Sequence, residues 1–297
     1  MTEAVASPLV SAIIVVLNGE DFLNEAIDSV TAQTLSDWEL IVADDGSSDR
    51  TREIAMARAA ADHRISLVAH PDGSNHGIAA TRNLALGFAR GTYIAFIDAD
   101  DVWLPDKLAE QVRIMESDAE LGLVYGRTLI WHSWNPADDQ KDHYYPLGVE
   151  ADRRHEPPVL LELLLRNQTQ TPTTCNMMVR ADLFRSVGSF EPRFRTIFED
   201  YSFYCKALAV TPAHVSGRTW AKYRQHPGGT TAILAQSGKG DALWFEFLRW
   251  LSASMAPMRP SLRIRKAIRR ERVRVGIRLA RQSARSLKRR ISNAIRA

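Results

Sequence analysis

Short apolar runs and amphipathic stretches alternate through the first 126 residues of the chain. Residues 8–17 are mostly apolar and rich in Val and Ile, which predicts a buried strand. After a turn at Asn18-Gly19, the apolar residues Phe22, Leu23, Ala26, Ile27 and Val30 recur at near-helical spacing and predict a helix over 22–33. The same alternation predicts strands over 39–43, 64–69 and 92–97 and helices over 50–61 and 78–89. Gly91 is read as the stop for the last of these helices. Pro105 suits the first turn of a helix reaching 116, and 121–126 reads as a fifth strand. Strand-helix alternation with short connections implies a mostly parallel sheet with helices on both faces.

Beyond residue 130 the pattern loosens. An aromatic and polar stretch with Pro136 and Pro146 suggests a long functional loop or a sheet insertion, in which Trp131, Trp134, Tyr144 and Tyr145 are candidates to stack on a ring of a bound ligand. Helices are expected over 159–167, 181–187, 199–210 and 241–254, and a short strand over 177–179. The polar segment 236–240 separates the last of these helices from the body.

Two acidic clusters stand where predicted strands end. Asp44-Asp45-Gly46-Ser47-Ser48-Asp49 follows the second strand, and Asp98-Ala99-Asp100-Asp101 follows the fourth. Crowded carboxylates repel one another unless a cation or a set of donors neutralises them. In open α/β sheets the carboxyl ends of strands are where ligands bind. The economical reading is a divalent metal with a nucleotide. Asp45 suits a pyrimidine N–H or a ribose hydroxyl, or an Asx-turn that only shapes its loop. Asp44 reads as structural, and Asp49 as a cap for the helix that follows. Asp98 and Asp100 would share a face of extended backbone, one toward ribose and the other toward metal. Asp101 suits either a helix cap or the surroundings of the metal.

Composition adds little to this and charge adds much. The 297 residues are 45% hydrophobic and 25% charged, as in an ordinary globular protein with a sizeable core. Cys175 and Cys205 lack metal-site spacing and read as buried reduced thiols, which fits a reducing, cytoplasmic setting. The net charge of +3 hides an asymmetry: residues 259–297 hold 15 Lys and Arg against one acid, Glu271, while the rest of the chain is acidic. In this tail Ile264, Ile268, Val275, Leu279, Leu287, Ile291 and Ile295 form a helical stripe that suits an anionic membrane surface. The tail lacks interleaved aromatics, which speaks against nucleic acid. No dinucleotide-binding glycine fingerprint lies between a strand and a helix, so a nicotinamide dehydrogenase is excluded.

The segment 10–18, the turn 44–49, Asn75-His76-Gly77-Ile78-Ala79-Ala80-Thr81-Arg82-Asn83, Asp98-Ala99-Asp100-Asp101 and Glu199-Asp200, in this order, resemble the family 2 glycosyltransferases over roughly residues 8–230. The resemblance implies an inverting enzyme of GT-A fold, with a Rossmann-like central sheet. It divides the chain into a catalytic domain over 1–258 (nucleotide-binding half about 8–126, acceptor half about 127–258) and the basic helical extension 259–297. It also implies a nucleotide-sugar donor, UDP-linked first of all, contacted by Leu17, Asn18, Glu20, Asp45, Arg82, Asp98 and Asp100. Mn²⁺ or Mg²⁺ would be held by Asp100, with His226 closing over it. Asp200 would be the general base, with Glu199 beside it. The acceptor would be a lipid-linked or polysaccharide glycan of the cell envelope, approached from the inner face of the membrane. A nucleotide-binding scaffold without catalysis is the alternative.

Overall fold

A computed structural model describes residues 7–166, 172–195, 197–229 and 238–296, with side chains through residue 285. The expected helix end at residue 167 and part of the polar segment 236–240 lie outside the described residues. So do the side chains of Leu287, Ile291 and Ile295.

The alternation read from the sequence holds through the first half. Strands β1 (Val10–Val16), β2 (Trp38–Asp44), β3 (Ile65–Ala69) and β4 (Tyr93–Asp98) are separated by helices α1 (Leu23–Thr31), α2 (Thr51–Ala61) and α3 (Ile78–Phe88). They pair in parallel in the order β3-β2-β1-β4. Strand β5 (Val102–Trp103) and helix α4 (Lys107–Ser117) precede β6 (Leu123–Trp131), which runs longer than its apolar signal. The second half adds β7 (Arg153–His155), α5 (Val159–Arg166), β8 (Met178–Arg180), α6 (Ala181–Val187), α7 (Glu199–Ala207) and β9 (Ala213–Arg224). Two helices close the chain, α8 (Gly240–Ser254) and α9 (Leu262–Arg296).

Strand β8 inserts antiparallel between β4 and β6, and β9 lies parallel to β6. Two antiparallel steps restore direction, so β6 and β9 run the same way as β1–β4. Six of the nine strands described therefore point one way, with β5, β7 and β8 reversed. This is the mostly parallel sheet that was expected. Its consequence is positional: the chain leaves β1, β4 and β9 at one edge, and there it builds a cavity.

Burial explains why these runs became strands. Every residue of β1 and β2 is buried, as expected for a sheet covered on both faces. Alternate residues enter two cores: Ala12, Ile14 and Val16 pack with α1 and α4, whereas Ile13 and Val15 pack on the side of α3, α7 and α8. Gly91 proves to be a packing residue and not a left-handed helix stop. A Cβ there would lie 2.4 Å from the backbone nitrogen of Ser11 in the neighbouring strand. Gly91→Ala is expected to lower stability by about 2 kcal/mol or more, read as a fall in Tm, because backbone cannot step aside.

Helix α9 changes the picture of the basic tail. Its residues Ile264, Ile268 and Val275 are buried against the body, in contact with α5 and α8. The stripe that the sequence offered to a membrane is thus spent, over its described part, on the protein's own core. Among the described residues no helix is long and apolar enough to cross a membrane.

Candidate active site

A cavity of about 580 Å³ opens at the shared strand edge. Leu17, Asn18, Arg82, Asp98, Asp100, Glu199, Asp200 and His226 all line it. Eight of the sequence-derived site residues, separated by as many as 209 positions, are therefore brought to one place.

The first acidic turn turns out to be satisfied from within. Asp45 is buried, and its Oδ1 accepts from the His76 N–H at 2.8 Å and the Thr81 hydroxyl at 2.8 Å, while Oδ2 accepts from the Gly77 N–H at 3.0 Å. It fastens the turn to the start of α3, and it is not among the lining residues. The carboxylate expected to meet a base or ribose is engaged in these internal bonds. Glu20 also stays outside the lining, its carboxylate accepting from the backbone and side chain of Arg50. Asp44 accepts from the Ser47 N–H at 3.1 Å; Asp49 is not the expected cap, since the N-cap position is Arg50, and it instead accepts from the Thr51 N–H at 3.0 Å and the Glu20 N–H at 3.1 Å. Asn18, at φ 51°, donates its N–H to Ser47 Oγ and accepts from the Ser48 N–H. The turn therefore braces the β1 loop that forms the cavity wall.

The second cluster is different. Asp98 ends β4, and the chain then turns, with the Asp101 N–H bonded to the Asp98 carbonyl at 3.0 Å. Asp98 and Asp100 reach one cavity through this turn and not through strand alternation. Asp101 points away, fully buried, and its Oδ1 accepts from the Arg224 N–H at 3.0 Å, so it caps no helix. Burial, then the charges of Asp100 and Asp98, push its carboxyl well above the ordinary range.

Arg82 is the buried cation that ties the end of β4 to the start of α7. Its Nη2 donates to Asp98 Oδ1 at 2.8 Å and its Nη1 to Glu199 Oε1 at 2.9 Å. Only 2% of its side chain is exposed. The sequence expectation gave it ribose or diphosphate oxygens; the structure gives it two carboxylates, from the end of β4 and the start of α7. Burial acts to lower its pKa, but Asp98 and then Glu199 outweigh this and the guanidinium is held more firmly charged. Glu199 Oε2 is left buried without a hydrogen-bond partner.

Helix α7 begins at this point for a local reason. Phe198 adopts the left-handed conformation, φ 63° and ψ 7°, which is rare for an aromatic residue. It is held there by rings of Tyr201, Trp244 and Phe247. At this reversal the chain enters α7, and Glu199 and Asp200 line the cavity. Burial, then the charge of Glu199, raises the Asp200 carboxyl to about 8 against the pull of Arg82, with Asp98 adding to the rise. Were Asp200 to serve as a base, it would have to be ionised. At fixed metal and saturating cosubstrate, kcat/KM is therefore expected to rise about tenfold per unit below pH 8 and level above it.

Opposite these carboxylates, His226 Nε2 lies 2.9 Å from Asp100 Oδ2. Among the described residues no three His, Cys, Asp or Glu side chains gather as a ready metal cage. The Asp100 carboxylate fits Mg²⁺ or Mn²⁺, which are commonly held by one or two protein carboxylates and complete their shell with phosphate oxygens and water; the neighbouring imidazole of His226 suits Mn²⁺ better than the harder Mg²⁺. Arg224, which gave no signal in the sequence, holds this corner. It donates Nε to the Asp100 carbonyl at 2.7 Å, pairs with Glu25 and lies over the rings of Phe22, Trp131 and Trp134. Trp131 and Trp134 thus serve packing around Arg224. Tyr144 and Tyr145 remain exposed, Tyr144 bonded to Thr219.

Residues 11–188 match the model of "Glycosyl transferase family 2". An uncharacterized glycosyltransferase of Rickettsia typhi is 31% identical over 257 residues, covering 85% of this chain and 75% of that protein. The putative teichuronic acid biosynthesis glycosyltransferase TuaG of Bacillus subtilis is 29% identical over 226 residues, 73% of this chain and 88% of its own. Among solved structures, S. aureus TarS 1-349 in complex with UDP-GlcNAc superposes with a TM-score of 0.70 at 17% identity, over 94% of this chain and 75% of that one. The fold is that of the GT-A glycosyltransferases, and the chain belongs to the family 2 glycosyltransferases.

Proposed function

We propose that this enzyme transfers a sugar, with inversion, from a UDP-sugar to a hydroxyl of a lipid-linked or polysaccharide glycan of the cell envelope. The observation that carries the reading is the single cavity in which Glu199 and Asp200 from the start of α7 meet Asp98 and Asp100 from the end of β4. The kinship with a putative teichuronic acid enzyme supports the envelope acceptor, and a shared fold with a UDP-GlcNAc complex supports the donor.

In this reading Asp200 takes the proton of the acceptor hydroxyl as that oxygen attacks the anomeric carbon. The carbon–oxygen bond to the nucleoside diphosphate breaks on the opposite face, which inverts the centre. Glu199 Oε2 offers its free lone pairs to a sugar or acceptor hydroxyl. Asp98 would meet the ribose, and Arg82 holds the carboxylates of Asp98 and Glu199. Asp100 and His226 would hold a divalent cation, which when bound neutralises the diphosphate that departs.

The test is a thermal-shift screen of nucleotide sugars with and without Mn²⁺. Stabilisation by a UDP-sugar that requires the metal is expected, about 2.7 kcal/mol at a hundred times Kd. Equal shifts with and without metal would remove the cation from the proposal. A response to GDP-sugars alone would remove the UDP donor.

A further inference from the structure

Helix α9 buries one face and leaves another. Leu262, Lys266, Arg269, Val273 and Ile277 follow steps of four, three, four and four, so they form one outward row. In that row Leu262 is 57% exposed, Val273 55% and Ile277 48%. These apolar side chains are distinct from the inward stripe of Ile264, Ile268 and Val275. Beside the row a cavity of about 850 Å³ runs between α8 and α9, floored by Phe245, Met255 and Ile268 and rimmed by Arg265, Arg269 and Arg272.

The charges are sorted with the faces. Arg263 pairs with Glu162, Arg274 with Glu271 and Arg278 with Asp241. Glu271, the one acid of residues 259–297, is buried on the inner side. Among the described residues Arg259, Arg265, Arg269 and Arg272 enter no ion pair, and no acid lines the cavity they surround. An apolar row flanked by uncompensated arginines has the chemistry of a helix lying in a membrane interface. A duplex or an acidic protein would use the arginines and leave the exposed Val and Ile in water.

We infer that the outer face of α9, with the α8–α9 groove, is a docking surface for an anionic phospholipid bilayer. Val273 and Ile277 enter the interface, and Arg265, Arg269 and Arg272 receive lipid phosphates. This adds a place of work to the transfer reaction proposed above and stands or falls separately from it.

The experiment is co-sedimentation of the full chain with vesicles of phosphatidylcholine alone or with 30 mol% phosphatidylglycerol (a probe composition). Binding is expected only with the anionic lipid. R265Q/R269Q/R272Q is expected to lower the partition coefficient about a hundredfold, since each surface base contributes roughly fivefold. V273N/I277N is expected to lower it about tenfold. Both replace exposed or groove-lining residues, so far-UV circular dichroism and UDP release from the donor should match the parent. R113Q/R153Q/R193Q, which removes as many exposed charges elsewhere, is expected to bind as the parent does.

Equal binding to both vesicles would overturn the proposal. So would parental binding by R265Q/R269Q/R272Q, or an equal loss in R113Q/R153Q/R193Q. Tighter binding of a duplex DNA at the same salt would reassign the face to nucleic acid. A dimer that V273N/I277N dissociates would reassign it to a second copy of the chain. A parent chain that binds the anionic vesicles as expected but releases no UDP would instead count against the transferase reading alone.

Discussion

Replacing Asp200 by Asn is expected to reduce sugar transfer by about a thousandfold while leaving the affinity for the nucleotide within a few-fold of the parent. The amide keeps the shape of the carboxylate but cannot take a proton. The donor contacts proposed for Asp98 and Asp100 belong to another element, so titration of UDP into the variant should give a nearly unchanged Kd. The same variant carries a second, opposite signature. Asp200 has a folded pKa of about 8 against an unfolded value near 3.8, so holding it ionised costs stability progressively between those values and fully above them. The variant should therefore melt a few degrees higher than the parent at pH 9 and at much the same temperature at pH 4. Activity lost together with a lower Tm at pH 9 would mean that Asp200 is structural and that its role as base is wrong. A parent chain that turns over no donor would return the protein to the reading of a nucleotide-binding scaffold.

Arg82→Met should have the largest effect on folding. The methionine fills part of the space but leaves Asp98 and Glu199 facing each other with no cation between them. Removing one partner of a buried ion pair costs about 3–5 kcal/mol. For a chain of this length that is a fall in Tm of roughly 10 °C. The pairing makes the test specific. Adding Glu199→Gln removes one of the stranded charges and should recover about half of the loss, whereas Glu110→Gln, at a remote ion pair with Arg218, should recover none. A single-variant loss under about 1 kcal/mol would show that water enters and screens the two carboxylates.

The two experiments bear on different parts of what a reader of the sequence could see. The first four strands and their helices were legible because β1, β2 and β4 are continuous apolar runs bounded by turns. The pairing of Asp98 with Asp100 was also legible, though for the wrong reason: a turn, not the pleat, brings them to one cavity. Strand β9 left little trace. Its buried positions follow no clean alternation, and its register against β6 shifts around Tyr125 and Arg127. The strands β5 and β7 are two and three residues long, and β7 is Arg-Arg-His, which no apolar pattern marks. The internal bonds of Asp45 were not legible, and the cause is instructive. A strand-end carboxylate looks free in a sequence, because the N–H groups that occupy it come from residues more than thirty positions away. Arg224 was invisible for the same reason: its partners Asp100, Asp101 and Glu25 are over 120 positions distant. The basic tail shows the converse error. One stripe of a helix was recognised correctly as apolar, but a helix has more than one side, and the side that remains uncovered is a different one.

The clasp formed by Arg82 has a consequence for how such enzymes are recombined. Its two carboxylates come from opposite halves of the chain, and β8 from the later half is seated beside β4 from the earlier. A fragment ending near residue 126 would keep the guanidinium and lose Glu199, and it would bare the hydrogen-bonding flank of β4. The C-terminal portion of a relative cannot, for that reason, be grafted onto this N-terminal portion as an interchangeable cassette. A working chimera must carry the arginine, both of its counterions and the intercalated strand from a single parent.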